Sequence, residues 1–123
     1  MITGISVTYI HTPNRALADW YRDMLGLSCV YDDGHWVEFS SECTTRFALD
    51  ITGPDPSPVE KQTIVISFSV DDIHATVQNL HQKGVQFFPD YEHTIFDVGP
   101  SMVATFQDPE GNWLQLSERK KYS

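Results

Sequence analysis

Basic residues are scarce in this sequence: 8 Lys and Arg stand against 17 Asp and Glu, for a net charge of −9. A surface this acidic repels phosphate backbones and anionic lipid, so neither nucleic acid nor a membrane surface is expected as a partner. The one basic run, Arg119-Lys120-Lys121, reads as a frayed tail. Cysteine is limited to Cys29 and Cys43, too few for a disulfide scaffold or a zinc cluster, and both read as reduced thiols of a cytoplasmic protein. No apolar run approaches the ~20 residues of a membrane span, and the N-terminus lacks a charged-then-apolar leader. What remains is a chain of 123 residues with 41% hydrophobic content, enough for one domain with a core of its own.

The ordering of that core is readable from periodicity. Ile2 to Ile10 is rich in β-branched and aromatic residues and reads as a strand. Leu17, Trp20, Tyr21, Met24 and Leu25 then recur at helical spacing, with Pro13 suited to the first turn and Gly26 to the position after the last. Trp20 and Tyr21 are expected in the core. Strand-like runs follow at Leu27 to Tyr31, His35 to Ser40 and Arg46 to Ile51, the first two joined by a hairpin signal at Asp32-Asp33-Gly34. Pro54, Pro56 and Pro58 interrupt this pattern and mark a linker over 53–61.

Beyond the linker the pattern returns. Thr63 to Val70 is a strand, Asp71 and Asp72 are helix-capping residues, and Ile73, Val77 and Leu80 mark a helix face that Gly84 ends. Val85 to Phe88, Met102 to Gln107 and Trp113 to Ser117 close the pattern, with a poorly patterned, loop-like connection over 89–100. The helix-ending glycines stand 58 residues apart, close to half the chain. The order strand, helix, three strands therefore occurs twice, about 1–52 and 62–118, as two half-domains of a single domain.

Three motifs in this order, Leu-Ala-Asp-Trp-Tyr-Arg-Asp-Met-Leu-Gly-Leu (17–27), Phe-Ser-Val-Asp-Asp (68–72) and Phe-Gln-Asp-Pro-Glu-Gly-Asn-Trp-Leu-Gln-Leu (106–116), resemble the vicinal oxygen chelate superfamily. That superfamily includes glyoxalase I, bleomycin-resistance proteins and extradiol dioxygenases. The resemblance implies an α+β fold of two βαβββ modules, a cupped, eight-stranded mixed sheet with helices on its outer face, and commonly a homodimer. It also implies four metal-ligand positions in the metal-dependent members. Carried over residue by residue, they fall at Ser6 or Ile5, at Val65, at Asp50 with Ala48 of the same facing, and at Gln115. Val has no donor atom, and no histidine is among the four. The resemblance therefore implies a cup without a functional metal, Asp50 and Gln115 being the only candidates should a divalent ion bind.

Alternation along the strands then nominates the residues that line the cup: Thr8, Trp36, Glu38, Asp50, Ser67, Trp113 and Gln115. Thr8 enters this set if Ser6 points inward. Aromatic walls with a few hydroxyl, amide and carboxylate groups suit an organic ligand. The expected function is sequestration of a small organic molecule, cationic or aromatic, without a cofactor. The alternative is a divalent-metal lyase or isomerase like glyoxalase I, or a dioxygenase, with an atypical ligand set. His11 reads as a loop residue, His74 and His81 as solvent-facing, and His35 and His93 as surface residues, either of which could instead close over a ligand. Asp108 and Gly111 are expected to shape a turn and take no part in chemistry.

Overall fold

The computed structural model describes residue 1 and residues 7–40, 46–51, 62 and 64–120. The expected linker over 53–61, Cys43, and the position at Ser6 or Ile5 lie outside the described residues. The chain divides into two compact units, Met1–Val59 and Glu60–Ser123. Among the described residues each holds one mixed sheet and one α-helix, the α+β class expected from the motifs.

In the first unit, strand β1 (Val7–His11) leads to helix α1 (Ala16–Leu25), and β2 (Ser28–Asp32), β3 (Trp36–Ser40) and β4 (Arg46–Asp50) follow. The sheet order is β1-β4-β3-β2, with β1 parallel to β4 and the other pairs antiparallel. Pro13 lies ahead of the helix because Thr12 still donates its N–H to Asp50 O at 2.9 Å, which prolongs the β1–β4 ladder. The helix starts at Ala16, whose N–H donates to Asn14 Oδ1 at 3.1 Å. Gly26 ends it in the left-handed region at φ 71°, where its N–H reaches Tyr21 O. The apolar stripe of α1 buries Leu17 and Tyr21. Tyr21 packs on Phe47 and Phe39, with ring centroids 5.0 and 6.5 Å away. Trp20 is half-buried, edge-on to Tyr21 at 5.0 Å. The edge strand β2 is exposed throughout and carries a register shift between Cys29 and Tyr31.

In the second unit, β5 (Ile66–Ser69) leads to α2 (Ile73–Gln82), then β6 (Phe87–Phe88), β7 (Ile95–Asp97), β8 (Ser101–Gln107) and β9 (Trp113–Arg119). The order is β5-β9-β8-β6, with β7 also on β8. The N-terminus of α2 is held by two carboxylates. Asp72 accepts from Ala75 N at 3.1 Å and Glu118 accepts from Ile73 N at 2.9 Å, which complements the helix dipole. Ile73, Val77 and Leu80 bury one face of α2, and Val103, Ala104, Phe106, Leu114 and Leu116 are the buried residues of β8 and β9.

The connection over 89–100 is not loop throughout. Asp90 accepts from Glu92 N and His93 N at 2.9 and 3.0 Å and opens a turn of 3-10 helix (Tyr91–His93). Strand β7 then adds a fifth strand to this sheet, so the described residues form nine strands where eight were expected. Three residues are too few to show alternation, which is why the strand is not visible in the pattern.

The turn 108–112 is organised by Asp108, only 5% exposed. Its Oδ1 accepts from Glu110 N and Asn112 N, both at 2.9 Å, and its Oδ2 accepts from Asn112 Nδ2 at 2.7 Å. Gly111, at φ 85°, completes the return. Asp108→Ala leaves three part-buried donors without this acceptor and is expected to destabilise the fold by about 1–2 kcal/mol in urea unfolding. Asp108→Asn, which keeps one carbonyl oxygen for the two backbone donors, is expected to lose less. Equal stability of Asp108→Ala and the parent chain would show that the turn holds without its carboxylate.

Candidate functional site

Register fixes which side of each sheet is open. In the first unit Phe39 pairs with Phe47 and Val37 with Leu49, and these four buried side chains mark the face that covers α1. The opposite face therefore carries Trp36, Glu38, Ala48 and Asp50, and across the parallel pair Tyr9 and His11. Thr8 pairs with Phe47 and so lies on the helix side, which corrects its expected facing. The expectation took Ser6 as pointing inward, and a one-residue change of phase sends a whole strand to the other face. Tyr9 and His11 take the place assigned to Thr8.

Two rows cross this open face. One is Tyr9, Ala48, Glu38, and the other is His11, Asp50, Trp36. The rings of Tyr9 and Trp36 meet over β4 with centroids 5.2 Å apart and planes tilted by 60°. Ala48, which lies between these strands on the same face, is fully buried. A small residue is what this roofed position admits. Asp50 Oδ2 lies 3.2 Å from His11 Nδ1, so His11, expected in a loop, ends β1 on the open face beside a carboxylate. Glu38 is half-buried and, among the described residues, has no hydrogen-bond or ion-pair partner.

Trp36 is positioned by the turn before it. Asp33 Oδ1 accepts from His35 N and Trp36 N at 2.9 and 2.8 Å, and these bonds hold its carboxyl below the ordinary range. Asp32 is likewise held low, first by the Arg15 guanidinium, which grips both its oxygens, and then by Gly34 N.

In the second unit the open face of β9 carries Trp113, Gln115 and Ser117, since Leu114 and Leu116 are buried on the other. Gln115 pairs with Ser67 on one side and Thr105 on the other. Thr105 pairs in turn with Phe88, whose ring meets Trp113 edge-on at 4.7 Å. Trp113 is also clamped through its backbone. Gln62 donates Nε2 to Trp113 O at 2.9 Å and accepts from Trp113 N at 2.9 Å. Tyr9, Phe88, Thr105 and Gln62 were not singled out by the sequence, and His11 was read as a loop residue. Alternation within β1, started one residue later, signals Tyr9 and His11, whereas Gln62 and Thr105 depend on pairing with β9.

The structure thus gathers Trp36, Glu38 and Asp50 on one open face, and Ser67, Trp113 and Gln115 on another. Neither face coincides with the cavity of about 360 Å³ at the end of α2, which His81, Phe87, Asp90 and Tyr91 help to line. As for the metal positions, Val65 offers no donor, Asp50 is engaged by His11, and Gln115 is an amide flanked by two hydroxyl residues. Among the described residues no three His, Cys, Asp or Glu side chains are grouped to hold an ion. Of the described positions, Asp50 and Gln115 carry oxygen donors and Val65 carries none.

A family model for the glyoxalase/bleomycin resistance protein/dioxygenase superfamily matches residues 14–116. Solved structures agree. An antibiotic binding protein, TnmS3, from Streptomyces sp. CB03234 is 20% identical with a TM-score of 0.72, over 97% of this chain and 98% of that one. A superfamily member from Sphaerobacter thermophilus DSM 20745 is 22% identical with a TM-score of 0.69, over 96% and 98%. An integron cassette protein from the mobile metagenome of V. cholerae is 16% identical with a TM-score of 0.71, over 98% of both chains. No curated protein is similar enough in sequence to add to these. The chain belongs to the glyoxalase/bleomycin resistance protein/dioxygenase superfamily.

The turn that carries Trp36 has a pH signature. A carboxylate whose pKa is depressed by folding contributes stability above its unfolded value and loses it as pH falls through the folded one. Amide hydrogen exchange at His35 and Trp36 is therefore expected to stay slow down to pH values below the ordinary carboxylate range. Asp33→Ala should accelerate exchange at both amides several-fold at neutral pH. Unchanged exchange in that variant would mean that the carboxylate does not hold the turn.

Proposed function

We propose that this superfamily member binds a small organic molecule on the open faces of its sheets and does so without a metal. One observation supports the reading above the others. Each open face pairs two aromatic rings, Tyr9 with Trp36 and Phe88 with Trp113, beside side chains able to hydrogen-bond. Rings held in place by sheet register supply stacking area at little entropic cost, and Glu38, Asp50, Ser67 and Gln115 supply orientation. The antibiotic binding function of the Streptomyces neighbour is in keeping with this role. In this reading the two modules form one domain, the chain works as a cytoplasmic homodimer, and function is capture with no bond made or broken.

One observation favours a second reading. His11 beside Asp50 is the kind of imidazole–carboxylate pair that orients a metal-binding or proton-transferring histidine. It would suit a lyase, isomerase or dioxygenase that recruits a divalent ion with an atypical ligand set.

A thermal-shift series with Zn²⁺, Ni²⁺, Mn²⁺ and Fe²⁺ separates the two. An ion at ~100 times its Kd stabilises the native state by about 2.7 kcal/mol, which raises Tm by roughly 10 °C in a domain of this size. The metal-free reading expects shifts below about 2 °C for every ion. A large shift specific to one ion, lost in Asp50→Ala or Gln115→Ala, would replace it with the metal-dependent reading.

A further inference from the structure

We infer that the first unit's open face is a seat for an organic monocation, with Glu38 as counter-charge and the Trp36 and Tyr9 rings as the surface on which the cationic head rests. This rests on the small-molecule reading above and names the chemistry of the ligand. The charge distribution carries it. Of the two carboxylates on the face, Asp50 is engaged by His11 at 3.2 Å, while Glu38 has no partner among the described residues. Glu38 is half-buried, so part of its hydration is lost with nothing among the described residues to replace it. Tyr9 and Glu38 flank the buried Ala48 in register, on strands to either side of β4, and Trp36 precedes Glu38 by two residues on the same face. A trimethylammonium or a protonated planar amine here would meet a carboxylate and two π faces together, an arrangement in which attraction to the rings strengthens as water is displaced.

The unit's own cations do not fill this role. Among its described residues the Lys and Arg side chains are Arg15, held by Asp32, Arg22, held by Asp19 and Asp23, and Arg46. Arg46 is on the same face as Ala48 and Asp50, is exposed, and makes no ion pair with Glu38. Its charge opposes a bound cation, which gives the inference two variants of opposite sign.

The test is isothermal titration of the full chain with benzyltrimethylammonium, neutral 2-phenylethanol and anionic phenylmethanesulfonate. The cation is expected to bind at least tenfold more tightly than the neutral probe. Glu38→Gln should bring that ratio to within about twofold, and Arg46→Gln should leave it intact or raise it, with near-parent Tm in both variants confirming the fold. Because only Glu38→Gln lowers the ratio, a shared loss from misfolding cannot imitate the expected pattern. A ratio unaffected by Glu38→Gln, or sulfonate bound more tightly than the cation, overturns the inference. Equal binding of the cation and the neutral probe also overturns it and leaves the small-molecule reading standing. If no aromatic probe binds at millimolar concentration, both fall.

Discussion

Burial of one aromatic and aliphatic row against each helix decides everything else about these sheets. Tyr21 on Phe39 and Phe47 commits β3 and β4 to one orientation, and Leu114 and Leu116 commit β9. Strand alternation is strictly two-fold, so once those residues are turned inward the open faces have no freedom left. Trp36, Glu38, Asp50, Trp113 and Gln115 face outward because their neighbours in sequence cannot. Parallel pairing then carries the same choice to the edges, placing Tyr9 and His11 beside Ala48 and Asp50, and Ser67 beside Gln115.

The two open faces use the same device with different chemistry. On each, a tilted aromatic pair spans a central strand, but the first unit surrounds it with carboxylates and an imidazole, the second with hydroxyls and an amide. The family's metal positions in the second unit are poorly furnished for a divalent ion. A metal with positions left open for substrate needs convergent, strongly donating ligands, and Val65 and Gln115 are an apolar residue and a neutral amide. Coulombic attraction to an organic cation needs only one carboxylate in a partly desolvated place, a weaker demand that Glu38 meets. The superfamily's fold thus constrains shape, whereas the side chains on the open faces set the chemistry.

Much of this was legible in the sequence because it depends on local rules. Helix stripes, the Gly26 and Gly84 stops, the Asp72 cap, and alternation in the last strand each follow from a few neighbouring residues. So does the turn at Asp108, whose hydrogen bonds close within five residues. What was missed depends on partners distant in the chain. The facing of Thr8 turns on parallel pairing with residues about forty positions away, and the His11–Asp50 contact spans 39 positions. The strand at Ile95–Asp97 exists because β8 offers a free edge, a fact no local pattern records. Gln62 holds Trp113 from 51 positions away through bonds made by a single side chain.

The three tryptophans offer the most direct measurement. Trp36 and Trp113 stand on open faces, and Trp20 stands on α1 beside Tyr21. In a ¹⁵N-labelled sample of the full chain, the three indole N–H signals can be followed during titration with an aromatic cation. The account expects Trp36 to shift most, Trp113 to respond or stay still, and Trp20 to remain within its starting linewidth. A shift led by Trp20, or one confined to residues around His81 and Tyr91, would place the binding surface elsewhere and contradict the account.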